Sequence, residues 1–395
     1  MTPDLRRAYL VIPKLIEQPT WGGDYIIRHK NWQTHPVFSD KKIGQSYELF
    51  DKSNLSLALS SSDAKYSGEL TDNQLVETPT SLPNSIPLSK LIKEDPEGIL
   101  GKSIYEKYGG KMFLLIKFTQ ALGNSFQIHI RDGETHPRWK PKPESWYYFE
   151  PGLITLGVKK DTIWVDYQKV LTELNSHILV YSEQISRHQL NYETATEKIT
   201  RLVKKYNPWQ YVNLVFPQKD DLVDLSPCGI HHSWEEDTLK LPLGNVLYEV
   251  QLNLMDNEST IRSFDKGKMN RNGHVRPLQI EDYFKLIDRS DSANDTQTHF
   301  RNAQFISSSS NVYVERLLKT KYYKLDKITL TAKGTQHSER ISSFRHVFVK
   351  SGQIELTGGI ETLHITSGHS VFIPATIQEY TVTNKTTSTE MLVSY

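Results

Sequence analysis

The chain has 395 residues, too many for one ordinary hydrophobic core, and its 37% hydrophobic and 24% charged content suits a folded polymer of two or three domains. With 47 Lys and Arg against 46 Asp and Glu the formal charge is +1, so no global field would hold nucleic acid or an anionic membrane, and neither is expected as a partner. The N-terminus MTPDLRRAYLVIPKL lacks the apolar core of a signal peptide, and no stretch approaches the roughly 20 apolar residues of a membrane span, which points to the cytoplasm.

The first hundred residues hold short extended runs broken by turn formers, such as TWGGDY and FDKSNLS, and the polar stretch from Ser60 to Leu82 reads as a surface loop. A helix is expected at Leu88–Ile92, and Pro96 can open another at Glu97–Tyr108 that Gly109 and Gly110 stop. The apolar run KMFLLIKF and the alternating NSFQIHI then read as two adjacent strands. From Tyr167 to Lys205 apolar residues recur at three- and four-residue spacings with no Gly or Pro, which predicts one or two amphipathic helices inserted in a β-rich protein. Strand signals return with VNLVF and VLYEVQLNL. From about Tyr322 short alternating runs, KITLTA, HVFVKSGQIELTG, TLHIT and HSVFIPATIQEYTV, predict a closed or two-layered β domain. A weak likeness between DLVDLSPCGIHHS and ITSGHSVFIPATIQEYT suggests two related barrels.

The single cysteine, Cys228, cannot form an internal disulfide or a thiolate cage, so any metal must use His, carboxylate or amide ligands. In Phe126-Gln127-Ile128-His129-Ile130 the apolar residues take one face of a strand, and Gln127 and His129 take the other. Fifteen residues on, Glu144 opens the β-prone run ESWYYF, where a neighbouring strand could bring its carboxylate beside the imidazole. Pro227-Cys228-Gly229-Ile230-His231-His232 makes a turn and re-enters a strand with a histidine. Two imidazoles, a carboxylate and an amide oxygen suit zinc at a catalytic site with an open position, although manganese, iron or cobalt accept the same donors.

These stretches resemble the type I mannose-6-phosphate isomerases of the cupin superfamily. GKMFLLIKF followed by NSFQIH looks like the start of that family's catalytic barrel, Lys142-x-Glu144-x-Trp146-Tyr147 matches its next motif, and Pro227-x-Gly229-x-x-His232 is similar to the turn that supplies its last histidine. Pro13-Lys14 with Trp21-Gly22-Gly23 and Ile43-Gly44-Gln45-Ser46-Tyr47-Glu48 resembles the N-terminal signature. Tyr248-Glu249-Val250-Gln251 with Thr260-Ile261-Arg262-Ser263-Phe264-Asp265 resembles the strand pair with the catalytic arginine, and Val371-Phe372-Ile373-Pro374-Ala375 the closing motif of the second barrel. Two departures stand out: Ile130-Arg131-Asp132 replaces the usual proline and acidic residues after the first histidine, and the segment from Gln251 to Arg262 is longer than the bacterial pattern.

The resemblance implies a mainly β fold of two cupin, jelly-roll-like barrels with a helical insertion. Residues 1–165 would hold the N-terminal part and the first strands of the catalytic barrel, 166–210 the insertion, 211–320 the rest of that barrel, and 321–395 the second barrel. It implies one zinc ion per chain on Gln127, His129, Glu144 and His232, with His232 rather than His231 as the ligand. It also implies interconversion of mannose 6-phosphate and fructose 6-phosphate through a cis-enediol. Lys142 and Glu249 are then the alternative proton carriers, Arg262 holds phosphate or the enediolate oxygen, and Ser125 and Lys268 bind phosphate. The competing readings are a non-catalytic cupin that senses a sugar phosphate, and an isomerase for another aldose.

Overall fold

A computed structural model describes residues 6–62, 84–226, 232–338, 340 and 342–395, with the backbone but not the side chain of His232. Most of the polar stretch from Ser60 to Leu82, together with Cys228 and His231, lies outside the described residues. The chain is mainly β, as the sequence predicts, and it forms two compact units, each gathered from separate segments.

The first unit comprises Met1–Gln120, Val246–Asn253 and Arg301–Tyr395. A nine-stranded and a four-stranded sheet bury a shared core in which the alternation read from the tail is realised: Ile354 and Leu356 of one sheet meet Val347, Val349, Met391 and Val393 of the other. Both layers are open sheets. The chain's beginning is built into its end, because the strand Tyr9–Ile12 pairs antiparallel with Ser370–Ile373, Tyr9 opposite Phe372 and Leu10 opposite Val371. The helix expected over Glu97–Tyr108 is instead two, Pro96–Leu100 and Lys102–Tyr108. Gly101 separates them with φ +98°, a conformation that L side chains avoid, and a Cβ there would meet the Ser342 carbonyl oxygen at 2.1 Å.

The second unit comprises Ala121–Asn245 and Leu254–Phe300. Its five-stranded sheet runs in the order Val212–Val215, Ile154–Val158, His232–Trp234, Phe126–Ile128, Ile261–Phe264. One face of this sheet, carrying Phe126, Ile128, Val158, Ile261 and Phe264, packs on helices through Tyr167, Leu171, Leu174, Ile178, Ile199 and Tyr283. The helical stretch read from the sequence is a pair, Trp164–Ser186 and Tyr192–Tyr206; Asn191 caps the second, its side-chain oxygen accepting from the Thr194 N–H at 2.8 Å. KMFLLIKF and NSFQIHI, expected as neighbouring strands, fall in different sheets as Leu114–Ala121 and Phe126–Ile128. The chain bends at Leu122 between them. Among the described residues no helix is long and apolar enough to cross a membrane.

Candidate functional site

Because Phe126 and Ile128 turn toward the helices, Gln127 between them is left for the opposite face of the five-stranded sheet. The ladder sets it in a row of three, with Gln127 opposite Arg262 on one side and opposite His232 on the other. Residues directly opposite in an antiparallel pair project to one face, so Gln127 and Arg262 share it. For His232 the ladder gives the backbone position.

His129 follows that strand and is 1% exposed. Its Nδ1 lies 2.7 Å from the Ser259 carbonyl oxygen, which can only accept, so Nδ1 carries the hydrogen and Nε2 is the nitrogen left for other chemistry. Nε2 faces Glu144 Oε2 at 3.2 Å. Glu144 opens the strand Glu144–Tyr148, whose pairing with Leu222–Asp224 places Trp146 opposite Val223. The Trp146 indole N–H donates to Glu144 Oε1 at 2.6 Å, so one carboxylate oxygen is fixed and the other is turned to the imidazole.

Lys142 and Glu144 come together across Pro143: Lys142 Nζ is 3.3 Å from Glu144 Oε2 and 3.9 Å from Asp256 Oδ1. Arg262 donates from Nη2 to Asp256 Oδ2 at 2.7 Å, and its backbone is clamped by Gln279 through two hydrogen bonds of 3.1 and 2.8 Å. Burial pulls the Arg262 pKa down, Arg276 adds to that, and Asp256 opposes both.

Ser125 is fully buried and donates to Gln127 Oε1 at 3.2 Å. Lys268 donates to the Gly123 carbonyl at 3.0 Å, two residues from Ser125; its pKa is lowered mainly by burial, with Asp265 acting against the shift. Glu249 lies in the first unit, where Lys117 pairs with it at 2.5 Å and the Thr119 hydroxyl donates at 3.4 Å. The departing residue Arg131 is engaged in an ion pair with Asp288, which ties the loop after His129 to the segment beyond the helix Ile280–Leu286. The same loop is held from another side by Lys140, whose ammonium meets Glu258 at 2.6 Å.

Sequence reasoning missed Asp256, Ser259 and the bond from Trp146 to Glu144. Asp256 and Ser259 are the ends of a four-residue helix, Asp256–Ser259, that fills the stretch noted as longer than the bacterial pattern. Met-Asp-Asn-Glu-Ser reads locally as a polar turn, and only its tertiary position gives it meaning. Among the described residues no three His, Cys, Asp or Glu side chains form a group that could hold a metal ion; of the expected ligands of that kind His129 and Glu144 are described, and the His232 side chain is not.

Residues 314–395 match the family described as mannose-6-phosphate isomerase, cupin domain. No curated protein matches the chain. Among solved structures, the mannose 6-phosphate isomerase from Bacillus subtilis is 15% identical with a TM-score of 0.66, over 98% of this chain and 99% of that one. A variant of the phosphomannose isomerase from Salmonella typhimurium is 12% identical with a TM-score of 0.64, over 98% and 99%. A zinc-bound mannose 6-phosphate isomerase is 12% identical with a TM-score of 0.63, over 98% of each chain. At these identities the likeness is one of fold. The chain thus has the fold of the mannose-6-phosphate isomerases over nearly its whole length, and its residues 314–395 match the cupin domain of that family.

Proposed function

We propose that this chain is a metal-dependent aldose-ketose isomerase that interconverts mannose 6-phosphate and fructose 6-phosphate, with one zinc ion held by Gln127, His129, Glu144 and His232. The observation that carries the reading is the His129 and Glu144 pair. Each presents one donor atom to the other at 3.2 Å while its remaining polar atom is bonded to Ser259 or Trp146. That is the outer-shell support that ligating imidazoles and carboxylates use. Zinc bonds of about 2.0–2.2 Å in a tetrahedron set neighbouring donors roughly 3.4 Å apart, close to the spacing found. The register of His232 opposite Gln127 favours His232 as the fourth ligand.

A divalent cation bound there supplies Lewis-acid polarisation of the sugar carbonyl and of the enediolate oxygen. The remaining work falls to side chains. The reaction moves a proton between C2 and C1 of the open-chain sugar, so it needs a group that accepts and returns it on one face of the cis-enediol. Lys142, buried beside Glu144, is placed for that exchange in this reading; Glu249, the alternative carrier, is paired with Lys117. In the same reading Arg262 stabilises anionic oxygen through its fork of donors, and Ser125 and Lys268 bind the phosphate.

The test is a coupled assay of mannose 6-phosphate conversion on the purified chain, with and without chelator, alongside metal analysis. Turnover lost with chelator and restored by zinc, at about one metal per chain, is the expected result. Full metal occupancy in a His129→Ala/His232→Ala double variant would defeat the ligand assignment, whereas His231→Ala should keep its metal. Binding of the sugar phosphate without turnover would make the chain a sensor instead.

A further inference from the structure

Arg262 and Lys142 are 11% and 6% exposed at their side chains, while Asp256, the carboxylate that faces both, is 64% exposed. Lys142 meets the buried Glu144 at 3.3 Å, so the counter-charge that reaches in from the solvent side serves chiefly Arg262, at 2.7 Å. The pairing has the form of a contact made to be broken. Arg262 meets Asp256 through Nη2 alone, and its Nε is buried without a hydrogen-bond partner among the described residues. Arg276, by contrast, grips Asp265 with both Nε and Nη2, at 3.0 and 2.7 Å. The two halves of the contact also differ in support. The Arg262 backbone lies in a sheet strand and is clamped by Gln279, whereas Asp256 begins a four-residue helix outside the sheet, held through Glu258 to Lys140 and through the Ser259 carbonyl to His129, with the Thr260 hydroxyl 3.5 Å from its carboxylate.

We propose that Asp256 is an internal stand-in for an anionic oxygen of the substrate: its carboxylate neutralises Arg262 while the site is empty and is displaced into water when a sugar phosphate binds. This rests on the functional reading above. The guanidinium keeps donors free for the incoming oxygen, so the exchange replaces one single-pronged ion pair with a two-pronged one. Displacing Asp256 weakens ground-state binding, which keeps the arginine's full attraction for the charge that develops during reaction. Asp256 is in this sense a positioning residue, since it acts through Arg262.

The full chain is titrated with inorganic phosphate by calorimetry. Asp256→Asn removes the competing charge at nearly constant shape and should bind phosphate about two- to fivefold more tightly, the effect of an exposed ion pair. Its KM for mannose 6-phosphate should fall by a similar factor. Asp256→Glu, which restores the carboxylate, should return phosphate binding toward the weaker parental value. In an Arg262→Ala background, Asp256→Asn should give no gain, because the cation it competes for is gone. Asp256→Ser serves if the amide variant unfolds. Equal or weaker phosphate binding in Asp256→Asn, or no binding in either form, overturns the proposal, as does a gain that survives loss of Arg262. Absence of turnover in the parent would defeat the isomerase reading, while the phosphate titrations would still decide the role of Asp256.

Discussion

At the scale of single residues, the site separates holding a ligand from stabilising charge. The Trp146 indole donates to the oxygen of Glu144 that is turned away from His129, at 2.6 Å, so Trp146→Phe, which keeps an aromatic ring in the core, should lower zinc affinity by about 10- to 100-fold, the usual effect of losing an outer-shell partner, without unfolding the chain. Competition with a chromogenic chelator would measure it, and parental affinity would count against Glu144 as a ligand. Arg262 cannot ligate a metal because it never gives up its proton. Arg262→Ala should therefore keep its metal while turnover falls by a factor of about 10² to 10³. Parental turnover would make Arg262 structural, and a severe defect in Arg262→Lys would show that the fork as well as the charge is needed. Gln127 and His129 were legible as a pair because two-residue alternation fixes which side chains share a face, while Glu144 and Lys142 were reached through their resemblance to a family motif. Asp256, Ser259 and the Trp146 bond were not, because these contacts depend on how distant segments pack. The choice of His232 came from resemblance, and the ladder adds only its backbone register.

At the scale of elements, periodicity located the helices and strands, and backbone conformation decided where they break. The helical pair at Trp164–Ser186 and Tyr192–Tyr206 was readable from its spacing, but the division at Gly101 was not, since glycine within a helical pattern is often tolerated. A sharper case is Gly157 in the strand Ile154–Val158, one residue from where His232 pairs with Leu156. It has φ +77°, and a Cβ would meet the Asn294 carbonyl oxygen at 2.6 Å. Both the conformation and the approach exclude a side chain, so Gly157→Ala should cost about 1–3 kcal/mol in urea unfolding. Gly110, whose added Cβ would find nothing nearer than 3.9 Å, is the control, and Gly110→Ala should stay within about 0.5 kcal/mol of the parent. Equal stability of the two variants would show that the strand adjusts around Gly157.

At the scale of the whole molecule, a chain of formal charge +1 gains little from net electrostatics, and its response to pH is set by what the units bury. The first unit encloses His346 and His369, and burial pushes both imidazoles down to about 3, with the Lys30 ammonium acting in the same direction. Glu48 faces that lysine at 2.7 Å, and His29 lies nearby and also disfavours charge on His369. Tyr248 bonds Nδ1 of His346 at 3.0 Å, and the Thr366 hydroxyl and Ser367 carbonyl stand 3.2 and 3.0 Å from Nδ1 of His369. A histidine whose folded pKa is depressed binds fewer protons folded than unfolded between the two values. Its contribution to stability is thus present above pH 6.5 and is lost as pH falls toward 3. Each such group would remove up to about 1.4 kcal/mol per pH unit within that window. Most carboxylates titrate below pH 5, so the interval from about 7.5 to 5 isolates the histidines. Urea unfolding in chelator, which removes the separate pH dependence of metal binding, should show a midpoint that falls steadily across this interval, with a shallower fall in His369→Gln. An unchanged midpoint at both ends would mean that these imidazoles accept protons without unfolding, and that the first unit opens to water around them.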